Sequence, residues 1–230
     1  MHKIFAFLHY FMYICICKSF IIMMIDLCNR LVDNELTRED LLPNIEVVSM
    51  TYDDAPIITR LLAKCFNLPN EMEALRQLLY SNAQLDKSVK AIDKRNGDIY
   101  GFLIFSIFPI HVGSPIFHIN PKLGGFLVQF SQLNGHSFIL DERLRGTSID
   151  KRMLRLQNEY LNQYELIWCA VEESLGTDNY WKRLGFKELF RIPEATFYGF
   201  FNDKFVSNNI YSIIDELNHE DNHNKRESGE

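Results

Sequence analysis

The stretch ELIWCAVEE, residues 165–173, constrains the fold more than any other part of the chain. It is nearly continuously apolar, the signature of a strand buried on both faces rather than one with a wet side. It follows a segment in which Ile149 and Met153 fall at helical spacing, and that segment follows the apolar run HSFILD (136–141). Strand, helix and strand in this order make a crossover between two parallel strands, right-handed by the general rule.

The remaining segments extend this α/β unit. IEVVSM (45–50) is apolar and β-branched, a first strand. Thr51, Asp53 and Asp54 then offer caps to a helix with Pro56 in its first turn and Ile57, Ile58, Leu61, Leu62 and Cys65 on its apolar face. A second helix is predicted over about 70–85. SVKAID (88–93) and IYGFLIFSIF (99–108) flank Asn96-Gly97, a hairpin turn. Residues 109–125 carry three prolines and three glycines and are expected to be a loop. FLVQFSQL (126–133) and HSFILD then bracket Asn134-Gly135 as a second hairpin. The helix starting near Ser148 is expected to run to about Gln163, and a short helix over 177–184 to end at Gly185, with Phe186 available for the cap's hydrophobic contact. FKELFRI and TFYGFF are two further strands, and a helix over 208–217 leads into a polar tail. The expectation is a mixed, mostly antiparallel sheet with one parallel crossover. The organisation expected is an apolar segment (1–25), a helix and lead-in (26–44), one domain (45–205), and a helix and tail (206–230).

Residues 4–25 are apolar except for His9, Lys18 and Ser19, long enough to cross a bilayer. Small-x-small cleavage chemistry is missing, which argues against a cleaved signal peptide. Two readings stay open: an uncleaved signal anchor, or translation from Met23 or Met24, where the composition becomes ordinary. The second is preferred, because the downstream chain has the pattern of a complete soluble enzyme; it implies a cytoplasmic protein, with membrane contact only if residues 4–25 are a real anchor.

The net charge of −6 argues against a general nucleic-acid binder. Basic residues are nevertheless concentrated at Arg143, Arg145, Lys151, Arg152 and Arg155, with Asp150 the sole acid between them. They surround a Gly-Thr-Ser turn at the mouth of a helix, where the first N–H groups lack internal partners and the helix dipole is positive. An ordinary cap and an anion seat both satisfy that pattern. A Walker-type phosphate loop is excluded, since only Gly146 of its glycines is present. The five cysteines are odd in number and form no CxxC pair, so neither a disulfide framework nor a metal site is expected.

In its whole order the chain resembles the GNAT superfamily of acyl-CoA-dependent N-acyltransferases. That family carries R-G-x-G-x-G/A between a strand and a helix, and Arg145-Gly146-Thr147-Ser148-Ile149-Asp150 lies on it. Ser148 and Asp150 replace two of the family's glycines. Downstream the family shows N-x-x-A-x-x-x-Y-x-x-x-G-F, where Ser174, Thr177, Trp181, Gly185 and Phe186 stand here. NGDIYGFLIF looks like its second hairpin. The resemblance spans about residues 45–200. It implies an acyl-CoA co-substrate, expected to be acetyl-CoA, with its pyrophosphate on the N–H groups of 145–150. The pantetheine arm would lie between the splayed ends of strands 136–141 and 165–173, placing Leu140, Ser174 and Trp181 beside the cofactor together with Arg143.

The implied reaction is attack by an amine, small-molecule or peptide, on a thioester, needing a base for the amine and a proton for the departing thiolate. Glu172 and Glu173 end a strand at the groove and are candidate bases. The family's acidic tyrosine is Trp181 here, and an indole donates a hydrogen bond but is no practical acid. Tyr180 is the adjacent candidate. His111, His118 and His136 are expected as surface or core histidines and Cys169 as inert core. The segment 109–133 is aromatic and is expected to cover the acceptor side. A non-catalytic acyl-CoA-binding domain is the alternative.

Overall fold

The computed structural model describes residues 30–172, 178–193, 195–207 and 209–228. The apolar segment 4–25 with Met23 and Met24 lies outside them, as do Glu173, Ser174 and Thr177. In chain order the elements are α1 (Arg38–Leu41), β1 (Ile45–Ser49), α2 (Ala55–Cys65), α3 (Glu71–Tyr80), β2 (Val89–Asp93), β3 (Ile99–Ser106), α4 (Pro115–Ile119) and α5 (Pro121–Leu127). They continue with β4 (Gln132–Leu140), α6 (Ile149–Leu156), α7 (Asn158–Leu161), β5 (Leu166–Glu172), α8 (Asp178–Arg183), β6 (Lys187–Ile192), β7 (Ala195–Phe201) and α9 (Ile210–Ser228). The sheet order is β1-β2-β3-β4-β5-β7-β6. The β4–β5 step is parallel and the others antiparallel, as the strand-helix-strand pattern predicts. Among the described residues no helix is long and apolar enough to cross a membrane.

The chain divides into two compact units. The first combines the described part of Met23–Phe108 with Leu133–Gln163. Its strands β1 to β4 form an antiparallel meander. Asn96-Gly97 makes the β2–β3 turn as its composition predicts, with Gly97 at φ 79°. Strand β3 is buried at every residue. Helix α2 continues from a 3-10 turn, Tyr52–Asp54, that a Thr51–Asp54 capping box opens, and it buries Ile58, Leu62 and Cys65. Helix α3 ends at Tyr80 rather than near 85, because Asn82 takes a left-handed conformation at φ 54°. Helix α6 stops at Leu156, where the buried Gln157 turns inward and donates to the Ser49 hydroxyl at 3.3 Å.

Two further expectations for this unit are corrected. Within 26–42 only Arg38–Leu41 is α-helical among the described residues, opened by a Thr37–Asp40 capping box. The preceding residues form an irregular arm whose backbone groups are taken up elsewhere in the unit. Asn134-Gly135 is not a hairpin turn: it lies inside β4, with Phe105 opposite Gly135 and Ser106 opposite Asn134. Ile104 pairs with Ser137, so His136 is the extra residue of a bulge in β4.

The second unit combines Pro109–Gln132 with the described part of Tyr164–Glu230. Here β7 sits between β5 and β6, all antiparallel. Rings hold it together: Phe190 stacks on Phe197 at 4.1 Å, Phe197 on Trp168 at 6.0 Å, and Phe130 meets Phe201 edge-on at 5.2 Å. Gly199 is needed for space, because a Cβ there would lie 2.8 Å from the Leu189 side chain. Segment 109–133 is not loop followed by strand. Pro115 and Pro121 each open a short helix, where a missing N–H and a fixed φ are harmless. Asn120 caps the second of these by accepting from the Leu123 N–H at 3.0 Å. Helix α9 also runs further than the expected 208–217, reaching Ser228.

Candidate functional site

The anion-seat sequence lies on the turn that joins β4 to α6. Asp141 begins it, fully buried. One of its carboxylate oxygens accepts from the Arg143 backbone N–H at 3.1 Å and from Arg143 Nε at 2.8 Å. The other accepts from Arg143 Nη2 at 2.9 Å and from the Leu31 N–H at 2.9 Å. Burial alone would push this carboxyl up, but the hydrogen bonds from Arg143 and the two amides outweigh it and hold it below its ordinary value.

Arg143, expected beside the cofactor, is put to a different use. It is 7% exposed. Besides Asp141 it donates to the carbonyls of Val32, Asn34 and Leu36 and to the Asn34 side-chain oxygen, the last at 2.7 Å. Its guanidinium lies 5.3 Å from the centre of the Tyr100 ring. Every direction of its fork is spoken for within the protein, and Asp141 neutralises it. Arg143 is thus the peg on which the arm 30–37 hangs.

A titration follows from the direction of the Asp141 shift. A depressed carboxyl stabilises the fold fully above its unfolded value, roughly 3.9, and loses that contribution as pH falls through the lower native value. Denaturant unfolding at stepped pH should show stability dropping below about pH 4, and Asp141→Asn, already weaker at neutral pH, should show a smaller drop.

Beyond Arg143 the turn opens to solvent. Arg145 donates from Nε to the Leu140 carbonyl at 3.2 Å, which ties the end of β4 to the turn. Gly146 stands at φ 72°, a conformation side-chain-bearing residues rarely take, and nothing lies within 4 Å of where its Cβ would be. The Thr147 hydroxyl donates to the Leu144 carbonyl at 2.6 Å and accepts from the Ile149 N–H at 3.3 Å. Ser148 holds the N-cap position, but its side chain makes no capping hydrogen bond and is exposed. Ile149 is buried and anchors the helix. The Asp150 carboxylate accepts from the Lys151 N–H at 2.7 Å. Among the described residues no hydrogen bond uses the backbone N–H of Gly146, Ser148 or Asp150. Three alternate amides at one helix mouth are thus left for an external acceptor. Lys151, Arg152 and Arg155 are exposed on the same helix.

The second unit places the other candidates. Helix α8 ends in a full Schellman motif: the Phe186 N–H donates to the Trp181 carbonyl at 3.1 Å, the Gly185 N–H to that of Lys182 at 3.1 Å, and Gly185 stands at φ 91°. Trp181 is 6% exposed and meets Phe186 edge-on at 5.4 Å, the hydrophobic contact that accompanies this motif. Trp181 is therefore the packing anchor of the cap. Tyr180 is half-buried, its ring 5.4 Å from that of Trp181, with its hydroxyl oxygen shielded from solvent. Glu172 closes β5, though its side chain lies outside the described residues.

His136, in the β4 bulge, is buried, with Nδ1 2.8 Å from the Ser137 hydroxyl and burial pushing its pKa down to about 4, so the ring is neutral near pH 7. Cys169 is 2% exposed, and burial pushes its thiol up. Among the described residues no group of three His, Cys, Asp or Glu side chains is placed to hold a metal.

No protein-family model matches the sequence, and no curated protein matches it. Solved structures do. PH1933 from Pyrococcus horikoshii is 14% identical with a TM-score of 0.50, over 69% of this chain and 98% of that one. YhbS from Escherichia coli, a GNAT-family N-acetyltransferase solved with CoA, is 20% identical with a TM-score of 0.48, over 72% of this chain and 86% of that one. Arabidopsis thaliana NAA60, solved with acetyl-CoA, is 14% identical with a TM-score of 0.48, over 69% and 99% of the two chains. At these identities the likeness is one of fold.

Proposed function

We propose that this chain, which has the GNAT fold, is an N-acyltransferase that moves an acyl group, expected to be acetyl, from acyl-CoA to an amine on a small molecule or peptide. The observation that carries the reading is the turn 145–150. It offers the N–H groups of Gly146, Ser148 and Asp150, open space around Gly146, and exposed Lys151 and Arg152 nearby. A diphosphate suits this set, since main-chain amides give it charge-assisted hydrogen bonds without a desolvated side-chain cation. Leu140 is the last residue of the strand leading into the turn, and Thr147 and Ile149 hold the turn's shape. Asp150 is half-exposed, with its carboxylate on the Lys151 amide, in the first turn of a helix whose dipole favours an acid. Ser174 remains a candidate cofactor contact. Glu172 and Glu173 are the candidate bases and Tyr180 the candidate acid. The chain is expected to act in the cytoplasm unless residues 4–25 anchor it to a membrane.

A second reading, an acyl-CoA-binding domain without turnover, draws support from Trp181. The residue at the family's tyrosine position is occupied with packing a helix cap and is no acid.

Calorimetry of the full chain with CoA tests the binding half, and free-thiol release from acetyl-CoA across a panel of amines tests turnover. We expect binding, and turnover with at least one amine class that rises with pH as the amine loses its proton. No binding with saturating CoA removes both readings; tight binding without thiol release from any amine leaves the non-catalytic one. Gly146→Val checks the seat itself. Space exists for the side chain, but φ 72° strains a β-branched residue by about 1–3 kcal/mol, so the turn relaxes and CoA affinity should fall about tenfold or more.

A further inference from the structure

The arm before α1 reaches the same turn from the other side. Arg38 Nε donates to the Arg143 carbonyl at 2.7 Å, and its Nη2 donates to the Arg145 carbonyl at 3.0 Å. The Arg145 carbonyl and the Gly146 N–H belong to one planar trans peptide unit and point in opposite directions. A donor fixed on that carbonyl therefore fixes where the Gly146 N–H points. The guanidinium charge also polarises the peptide, strengthening its N–H as a donor.

Arg38 is itself held on both sides. Before it, Arg143 grips the carbonyls of Val32, Asn34 and Leu36, and the Asn34 amide donates to the Tyr100 hydroxyl at 2.6 Å. After it, the Thr37–Asp40 capping box sets the helical turn. Lys64 adds a bond from Nζ to the Leu31 carbonyl at 3.4 Å, and Arg30 pairs with Glu142 at 3.3 Å. An exposed arginine on a mobile tail would orient nothing; this one stands on a backbone pinned at each end.

We infer that Arg38 is a positioning residue for the proposed acyl-CoA site, orienting the Gly146 N–H through the Arg145 carbonyl without itself touching the ligand. The inference rests on the acyltransferase reading for its ligand but not for its geometry, and the two are separable by experiment. The full chain is compared with Arg38→Ala and Arg38→Lys. The backbone order parameter of the Gly146 N–H is followed by NMR relaxation without ligand, CoA binding by calorimetry, and kcat and KM for acetyl-CoA with an accepted amine.

Arg38 is exposed, so both variants should fold with nearly unchanged melting. Arg38→Ala should lower the order parameter of the Gly146 N–H and raise both the CoA Kd and the KM for acetyl-CoA about tenfold, with kcat held. Arg38→Lys keeps the charge but not the fork and should stay close to Arg38→Ala. Recovery of wild-type affinity and order in Arg38→Lys would reduce Arg38 to a long-range charge and overturn the inference. So would unchanged order and affinity in Arg38→Ala. If the wild-type chain binds no CoA, the acyltransferase reading fails, and the order parameter alone decides: a looser Gly146 N–H in Arg38→Ala supports positioning, and an unchanged one refutes it.

Discussion

Arg143→Ala should destabilise the protein by about 3–5 kcal/mol, because removing one partner of a buried pair strands the other. Asp141 would be left fully buried with two backbone donors and no cation, and the arm carbonyls of Val32, Asn34 and Leu36 would lose their shared donor. For a chain of this size the loss corresponds to a fall in melting temperature of roughly 6–20 °C. Thermal unfolding of the purified variant checks it. The double variant Asp141→Asn with Arg143→Leu removes both charges and should recover part of the loss. A single variant melting within a degree or two of wild type would mean the pair stabilises nothing.

Tyr180→Phe should lower kcat by about 10²–10⁴-fold if the hydroxyl protonates the departing thiolate, with CoA affinity unchanged. The residue sits on α8 beside Trp181, whose place in the helix cap is set by Gly185 and Phe186. The substitution removes one oxygen and leaves the ring contact intact, so stability should change little. Steady-state rates with an accepted amine decide. An unchanged kcat would keep the acyltransferase and strip Tyr180 of its assigned role.

How much of this was legible beforehand depends on the range of the interactions. The β4–α6–β5 unit, the Asn96-Gly97 turn and the Gly185 cap are written in neighbouring residues, and each stands where the pattern puts it. Asn134-Gly135 misled for the opposite reason. The pair tolerates positive φ but does not require it, and neither residue adopts it inside β4. Pro115 and Pro121 carry the signal of breakers in sequence, but behind Ser114 and Asn120 they are helix openers. At the candidate site, Gly146 was recognisable because only glycine readily takes its conformation. Arg143 was not, because its acceptors on the arm lie 107 to 111 residues away and leave no local trace, and Asp141, just before it in the sequence, does not by itself signal burial. Two arginines of one cluster look alike in a sequence and differ wholly in burial.

That distance also sets an order of events. During synthesis at about 5–20 residues per second, residues 32–36 leave the ribosome roughly 5–20 s before Arg143 exists to receive them. The arm has one short helical turn of its own, Arg38–Leu41, and isolated turns of that length do not persist in water. Its docking therefore waits for the meander it docks on and adds nothing to the nucleus that forms first. Contacts made after the barrier is crossed act on the reverse rate: a tighter arm makes the native state slower to open, and leaves its rate of formation where it was.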